Sequence, residues 1–392
     1  MISSQNGLHL TPDMVDGINP ATSTERHRFH FLDALRGVAA IVVMMRHAPT
    51  AFSRLVAIHN SYLAVDFFFC LSGFVIAFSY ESRLQHLMSF RSFSASRIIR
   101  LWPVALLGAF LGALELLLGR YIPGYQHSYR PPGSILVQLI CGLFLLPNIS
   151  LHHFKYLVFP LDLVTWTLFA EVFANFVYAA LVRMRAAANW MVVLITSVSL
   201  AALAVERRMY GSMNLGHRTE GFHVGMTRVF FSFFLGILLF RIYKRRTPGI
   251  LGGWHSVIAG PLLVALFIAC LCDPIHKTYT GLCDLFIVAA LFPLIIYYGS
   301  RIVLAPRWTA ICAFFGTISY PLYILHPPLY WILNRDNFLI LAETHPNQAV
   351  FVMFASVPIV VFLAWATDRY YDSPVRKMLT NKYQVHLKPV LA

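Results

Sequence analysis

Apolar runs of roughly twenty residues, broken by short polar and basic stretches, recur along the whole chain. A helix rises about 1.5 Å per residue, so such a run matches a hydrocarbon core of roughly 30 Å. The pattern predicts spanning helices over 31–50, 61–80, 101–120, 163–182, 188–205, 228–243, 256–272, 282–298, 311–334 and 349–368. An eleventh run, 134–147, is short. The expected fold class is all-α, a polytopic transmembrane helix bundle of about ten spanning helices.

Basic residues orient the bundle, because cytoplasmic loops collect Lys and Arg. Four clusters matter: Arg83, Arg91, Arg97 and Arg100; Arg183 and Arg185; Arg241, Lys244, Arg245 and Arg246; and Arg369, Arg376, Lys377, Lys382 and Lys388. All four fall on the side of the N-terminal tail if 134–147 does not cross, and three change sides if it does. That segment is therefore expected to be re-entrant or interfacial, which is tolerable only where protein covers it. Both termini are expected in the cytoplasm and the chain in the inner (cytoplasmic) membrane. The loop 206–227, with Arg207, Arg208 and Arg218, then faces outward against the rule. Residues 1–28 read as a polar cytoplasmic tail without the pattern of a signal peptide, 29–376 as one membrane domain, and 377–392 as a basic cytoplasmic tail.

Composition narrows the class. Of 392 residues, 58% are hydrophobic and 12% charged, with a mean hydropathy of +0.65. A soluble domain of this size is far less apolar. The formal charge of +14 would suit nucleic acid, but the bases lie between apolar runs, so none is expected as a partner. The six cysteines, all in or beside apolar segments, have no metal-ligand or redox spacing, and no metal is expected.

Candidate chemistry lies where polar residues interrupt the apolar runs. Arg36 and His47 are eleven residues apart in the first span, so they share a helix face about 16 Å apart. Intramembrane ionisable residues pair or face a wet cavity, so the two read either as a site inside the bundle or as a snorkelling Arg at one helix end and a His at the opposite interface. Asp33 is one turn before Arg36, a spacing that allows pairing. In the second span Asp66 either orients a histidine or caps the helix start. Arg97 and Arg100 are three residues apart before a span, either as a positive-inside anchor or as a joint clamp for a phosphate. Arg36 lies at the same depth, so an anionic, phosphate-bearing cytoplasmic ligand would explain all three. Trp166 reads as an interface anchor, and Glu171 as a carboxylate in need of a partner. Pro321 opens its helix so that Ser319 and Tyr320 can hydrogen-bond inward, while His326 either ends that stretch or belongs to a site.

In combination these motifs resemble the acyltransferase 3 family of integral membrane acyltransferases, over most of residues 29–376. Arg36 and His47 are similar to its Arg-x10-His arrangement, and 65–74 to its Val-Asp-Phe-Phe-x-x-Leu-Ser-Gly-Phe stretch. The Arg-rich approach to Pro103, the Trp166–Glu171 element and the Ser319–His326 element also match. Thr167 stands where the family commonly has Ser, and Asp372 where Glu is frequent; both keep the functional group.

The resemblance implies transfer of an acyl group, usually acetyl from acetyl-CoA, to a hydroxyl of a carbohydrate acceptor such as an exopolysaccharide, O-antigen or lipid-linked glycan. Arg36, Arg97 and Arg100 would then hold the phosphates of the acyl-CoA donor, with its pantetheine arm running toward His47. His47 would take the acceptor proton, with Glu171 or Asp66 tuning it. Trp166, Ser319, Tyr320 and His326 are the expected substrate-binding residues. Two other readings stand beside this one: O-acylation of a macrolide-like natural product, and a proton-coupled transporter with Asp33, Arg36, His47, Asp66 and Glu171 as its relay.

Overall fold

The computed structural model describes residues 29–47, 58–119, 121, 130–148, 156–246, 254–272, 280–332 and 344–387. The expected tail 1–28 and the last residues, 388–392, lie outside the described residues. Each of the ten expected spans coincides with a helix or a helix pair. These are α1 (His30–His47), α2 (Ala64–His86), α3 (Phe90–Gly119), α5 (Thr165–Arg183), α6 (Asn189–Tyr210), α7 (Phe222–Arg245) and α8 (Trp254–Leu271). A π-helical turn, Ile287–Leu291, joins α9 (Thr280–Phe286) to α10 (Phe292–Gly299), and α11 (Pro306–Ile332) and α12 (Pro346–Thr367) follow.

Among the described residues, seven helices are long and apolar enough to cross a membrane, and the protein is a multi-pass membrane protein. The first helix, α1, falls short of that apolarity because its 18 residues carry Asp33, Arg36 and Arg46. The short run 134–147 forms α4 (Pro132–Leu143), whose 12 residues extend about 18 Å, too little to span. Its Ile135, Gln138 and Cys141 are buried while Leu136 and Ile140 are exposed, so protein covers one face of it. After α12 a π-helical turn, Asp368–Asp372, leads into α13 (Ser373–Leu387). Exposed Phe110, Leu118, Val198, Val205, Ile258 and Phe362 face outward, as in a lipid-facing surface rather than one meeting water.

Two helix pairs position the site, and both use glycine for close backbone approach. In the α2–α7 pair, a Cβ on Gly73 would stand 1.9 Å from Phe233 O, and one on Gly236 2.0 Å from Cys70 O. In the α1–α11 pair, a Cβ on Gly37 would meet Phe315 Cβ at 2.6 Å, and one on Gly316 would meet Asp33 Cβ at 2.6 Å. Outside the helices, the segments before α5 and α7 are stitched together. Val158 N–H donates to His217 O at 3.0 Å and Thr219 N–H to Tyr156 O at 3.1 Å, around an isolated Leu157–Arg218 bridge.

Candidate active site

Arg36 on α1, Arg97 and Arg100 on α3, and Glu171 on α5 line one cavity of about 220 Å³. The three arginines expected to act together are therefore together, although α1 and α3 are far apart in sequence. The glycine contact of α1 with α11 explains the setting of Arg36. Its Nε donates to Ser319 Oγ at 2.8 Å, its Nη2 donates to Gly316 O at 2.7 Å, and it pairs with Asp33 at 3.2 Å. Ser319 thus holds Arg36 rather than standing alone, and it donates in turn to Gly316 O at 2.8 Å. Tyr320 lines the same cavity and donates its hydroxyl to Leu101 O.

Arg97 reaches Glu171 Oε1 at 3.4 Å, and Ser72 Oγ donates to the same oxygen at 2.5 Å. Arg97 Nε is buried without a hydrogen-bond partner. Three guanidinium groups against the one carboxylate of Glu171 line this cavity, which suits a ligand with oxygen acceptors and negative charge.

His47 lines a second cavity, of about 560 Å³, with Arg46, Trp166, His217 and Arg228. Its partner is His326, which is fully buried on α11. His326 Nε2 lies 3.1 Å from His47 Nδ1, His326 Nδ1 lies 3.1 Å from Leu322 O, and His47 Nδ1 lies 2.9 Å from Val43 O. Carbonyl oxygens only accept, which assigns the tautomers of a neutral pair. His326 carries its proton on Nδ1 and accepts on Nε2. His47 carries its proton on Nδ1, shared between Val43 O and His326, and keeps the lone pair on Nε2. A neutral imidazole so fixed is equipped to act as a general base.

Trp166 is buried in this cavity, with its ring against Gly216 and Gly225, so it does not serve as an interface anchor. His217 comes from the stitched segment before α7. Burial, and then the neighbouring Arg218, hold its imidazole below the usual histidine range.

Two expected roles change. Asp66 hydrogen-bonds Arg228, at 2.6 Å and 3.3 Å, and Ser232 at 3.4 Å, and it bonds neither histidine. The α2–α7 contact brings a carboxylate and a guanidinium together away from water, where each needs the other. Glu171, expected to tune His47, is bonded instead to Ser72 and Arg97 in the arginine cavity. It lies five residues beyond Trp166 on the same helix, about 7.5 Å further along its axis, which puts the two in different cavities.

Sequence reasoning missed Arg228, Tyr62 and Asp284. Arg228 also donates to Tyr62 O at 3.1 Å, and the Tyr62 hydroxyl donates to Asp284 Oδ2 at 2.5 Å. The one available signal was that Arg228 opens an apolar run at the same expected depth as Asp66. Among the described residues, no three His, Cys, Asp or Glu side chains are placed to hold a metal ion. The two cavities adjoin: Val65, Thr167 and Tyr323 line both.

A family model described as an acyltransferase domain matches residues 29–367. The chain belongs to the acyltransferase 3 family. As a member of that family it is an O-acyltransferase, and its activity calls for an acyl donor, a hydroxyl acceptor and a bilayer. A relative from Rhizobium radiobacter, called "Protein 2 in picA locus", is 37% identical over 190 residues. That match covers 45% of this chain and 94% of the relative. No solved structure matches.

Proposed function

We propose that this enzyme transfers an acyl group, in the first place acetyl, from acyl-CoA to a hydroxyl of a carbohydrate acceptor such as an exopolysaccharide, O-antigen or lipid-linked glycan. The carrying observation is the junction of the two cavities: three arginines on one side, the His47–His326 pair on the other, and a shared wall between them. Arg36, Arg97 and Arg100 suit the phosphates of coenzyme A on the cytoplasmic side, where both termini would also lie in the inner membrane. The three guanidinium groups of the lining, against the single carboxylate of Glu171, support an anionic, oxygen-rich ligand there. Trp166, a large aromatic face beside polar groups, suits a sugar ring in the other cavity.

In the transfer, His47 Nε2 takes the acceptor hydroxyl proton as the oxygen bonds to the acyl carbon. The carbon–sulfur bond breaks, and the proton passes on to the departing thiolate. The test is acceptor-dependent thiol release from acetyl-CoA by purified protein, with the acyl-ester profile of cells carrying and lacking it. His47→Ala should abolish release while the protein stays folded, and full activity of that variant would overturn the assignment.

A further inference from the structure

The geometry points to the Tyr323 hydroxyl as the group that stabilises negative charge on the reacting acyl oxygen. This rests on the donor lying in the arginine cavity and the base in the histidine cavity, so that the acyl carbon reacts at the wall both cavities share. Of the three residues in that wall, Val65 has no polar side-chain atom. Thr167 Oγ1 lies 2.7 Å from Val164 O, which only accepts, so its single proton is committed there. Tyr323 lies 3.0 Å from Thr167 Oγ1 and must therefore be the donor of that contact. Its hydroxyl proton is the one proton in the wall that a carbonyl oxygen can recruit, by exchanging one acceptor for another.

Placement supports the role. Tyr323 is one helical turn from His326 on α11, and the two rings stand 6.1 Å apart. Its ring is buried and packs edge-on against Phe68 at 5.4 Å, so the hydroxyl is held on a fixed arm. When the acceptor oxygen attacks, the carbonyl electron pair moves onto the acyl oxygen; a preorganised O–H donor there acts more strongly than water. As the carbon–sulfur bond breaks the pair returns and the tyrosine keeps its proton.

The experiment uses purified full-length protein with acetyl-CoA and acceptor. Tyr323→Phe keeps the ring and removes the donor, and kcat should fall about 10²–10³-fold with KM for acetyl-CoA unchanged. Thr167→Val removes the resting acceptor but spares the donor, and its loss of kcat should be at least about tenfold smaller than that of Tyr323→Phe. Equal losses in the two variants would mean that the pair only ties α5 to α11, and the proposal fails. It also fails if Tyr323→Phe keeps wild-type kcat. Where Tyr323→Phe does not fold, 3-fluorotyrosine at position 323, a stronger donor of nearly the same size, should change kcat and leave KM alone; no change overturns the proposal. Wild-type protein that releases no thiol with acceptor would instead sink the acyl-CoA reading itself.

Discussion

Removing the acceptor atom behind His47 tests the histidine pair most directly. His326→Leu keeps a buried apolar side chain on α11 and deletes the Nε2 atom that lies 3.1 Å from His47 Nδ1. Val43 O, at 2.9 Å, still accepts that proton, so the His47 tautomer survives and one shared hydrogen bond is lost. Such a bond contributes about 1 kcal/mol, and 1.4 kcal/mol is about a tenfold change in rate. The expected loss in kcat is therefore roughly 5- to 10-fold, against the 10²–10⁴-fold that removing a general base costs in His47→Ala. His326 acts through His47, so the double variant should be no slower than His47→Ala alone. The assay is acceptor-dependent thiol release by the four proteins in one detergent. Additive losses, or a His326→Leu defect as deep as that of His47→Ala, would refute a purely positioning role for His326.

Other consequences can be measured separately. Arg97→Ala should raise KM for acetyl-CoA about tenfold or more while leaving KM for the acceptor alone; a defect confined to kcat would contradict a phosphate contact. Asp66→Asn strands the buried Arg228 charge and should destabilise by about 3–5 kcal/mol, whereas Asp66→Asn combined with Arg228→Met should recover much of the loss in thermal unfolding. Gly236→Ala forces α2 and α7 apart by about 1 Å and should cost roughly 1–3 kcal/mol, while Gly133→Ala, with nothing within 4 Å of its Cβ, should leave Tm unchanged. Burial pushes the Asp162 carboxyl up to about 7, against hydrogen bonds from Thr165 and the Val164 amide. A raised carboxylate lends stability that is complete below its ordinary pKa of 3.8 and is lost as pH climbs to about 7, at up to roughly 1.4 kcal/mol per pH unit. Asp162→Asn should flatten that slope, and parallel Tm-against-pH curves would refute it.

Helix positions were legible because a span has to be apolar along its whole length, and that leaves an unmistakable run. The arginine group was legible in part: Arg97 and Arg100 are one turn apart on one helix, so spacing alone joins them. What ties Arg36 to Ser319 is a contact across 283 positions, made possible by Gly37 and Gly316, and no local pattern announces it. The same holds for Asp66 and Arg228, 162 positions apart. Asp66 and Glu171 were assigned to the histidine because an intramembrane carboxylate demands a partner, and sequence does not say which one. Both found arginines, which offer a permanent charge where a histidine offers a conditional one.

Glu171 offsets part of the positive charge of the arginine cavity. Held by Ser72 and Arg97, it is a resident counter-anion that competes with an incoming anion for Arg97. On the proposed reading, loading an acyl-CoA donor is then partly an exchange of one anion for another, not the filling of a bare positive hole. The carboxylate stays on α5, within a side chain's reach of Arg97, and on that reading competes for it once the acyl group has gone. An enzyme that gripped coenzyme A by its phosphates would risk being poisoned by its own product. A tethered competitor would set a ceiling on that grip and reset the cavity after each turnover.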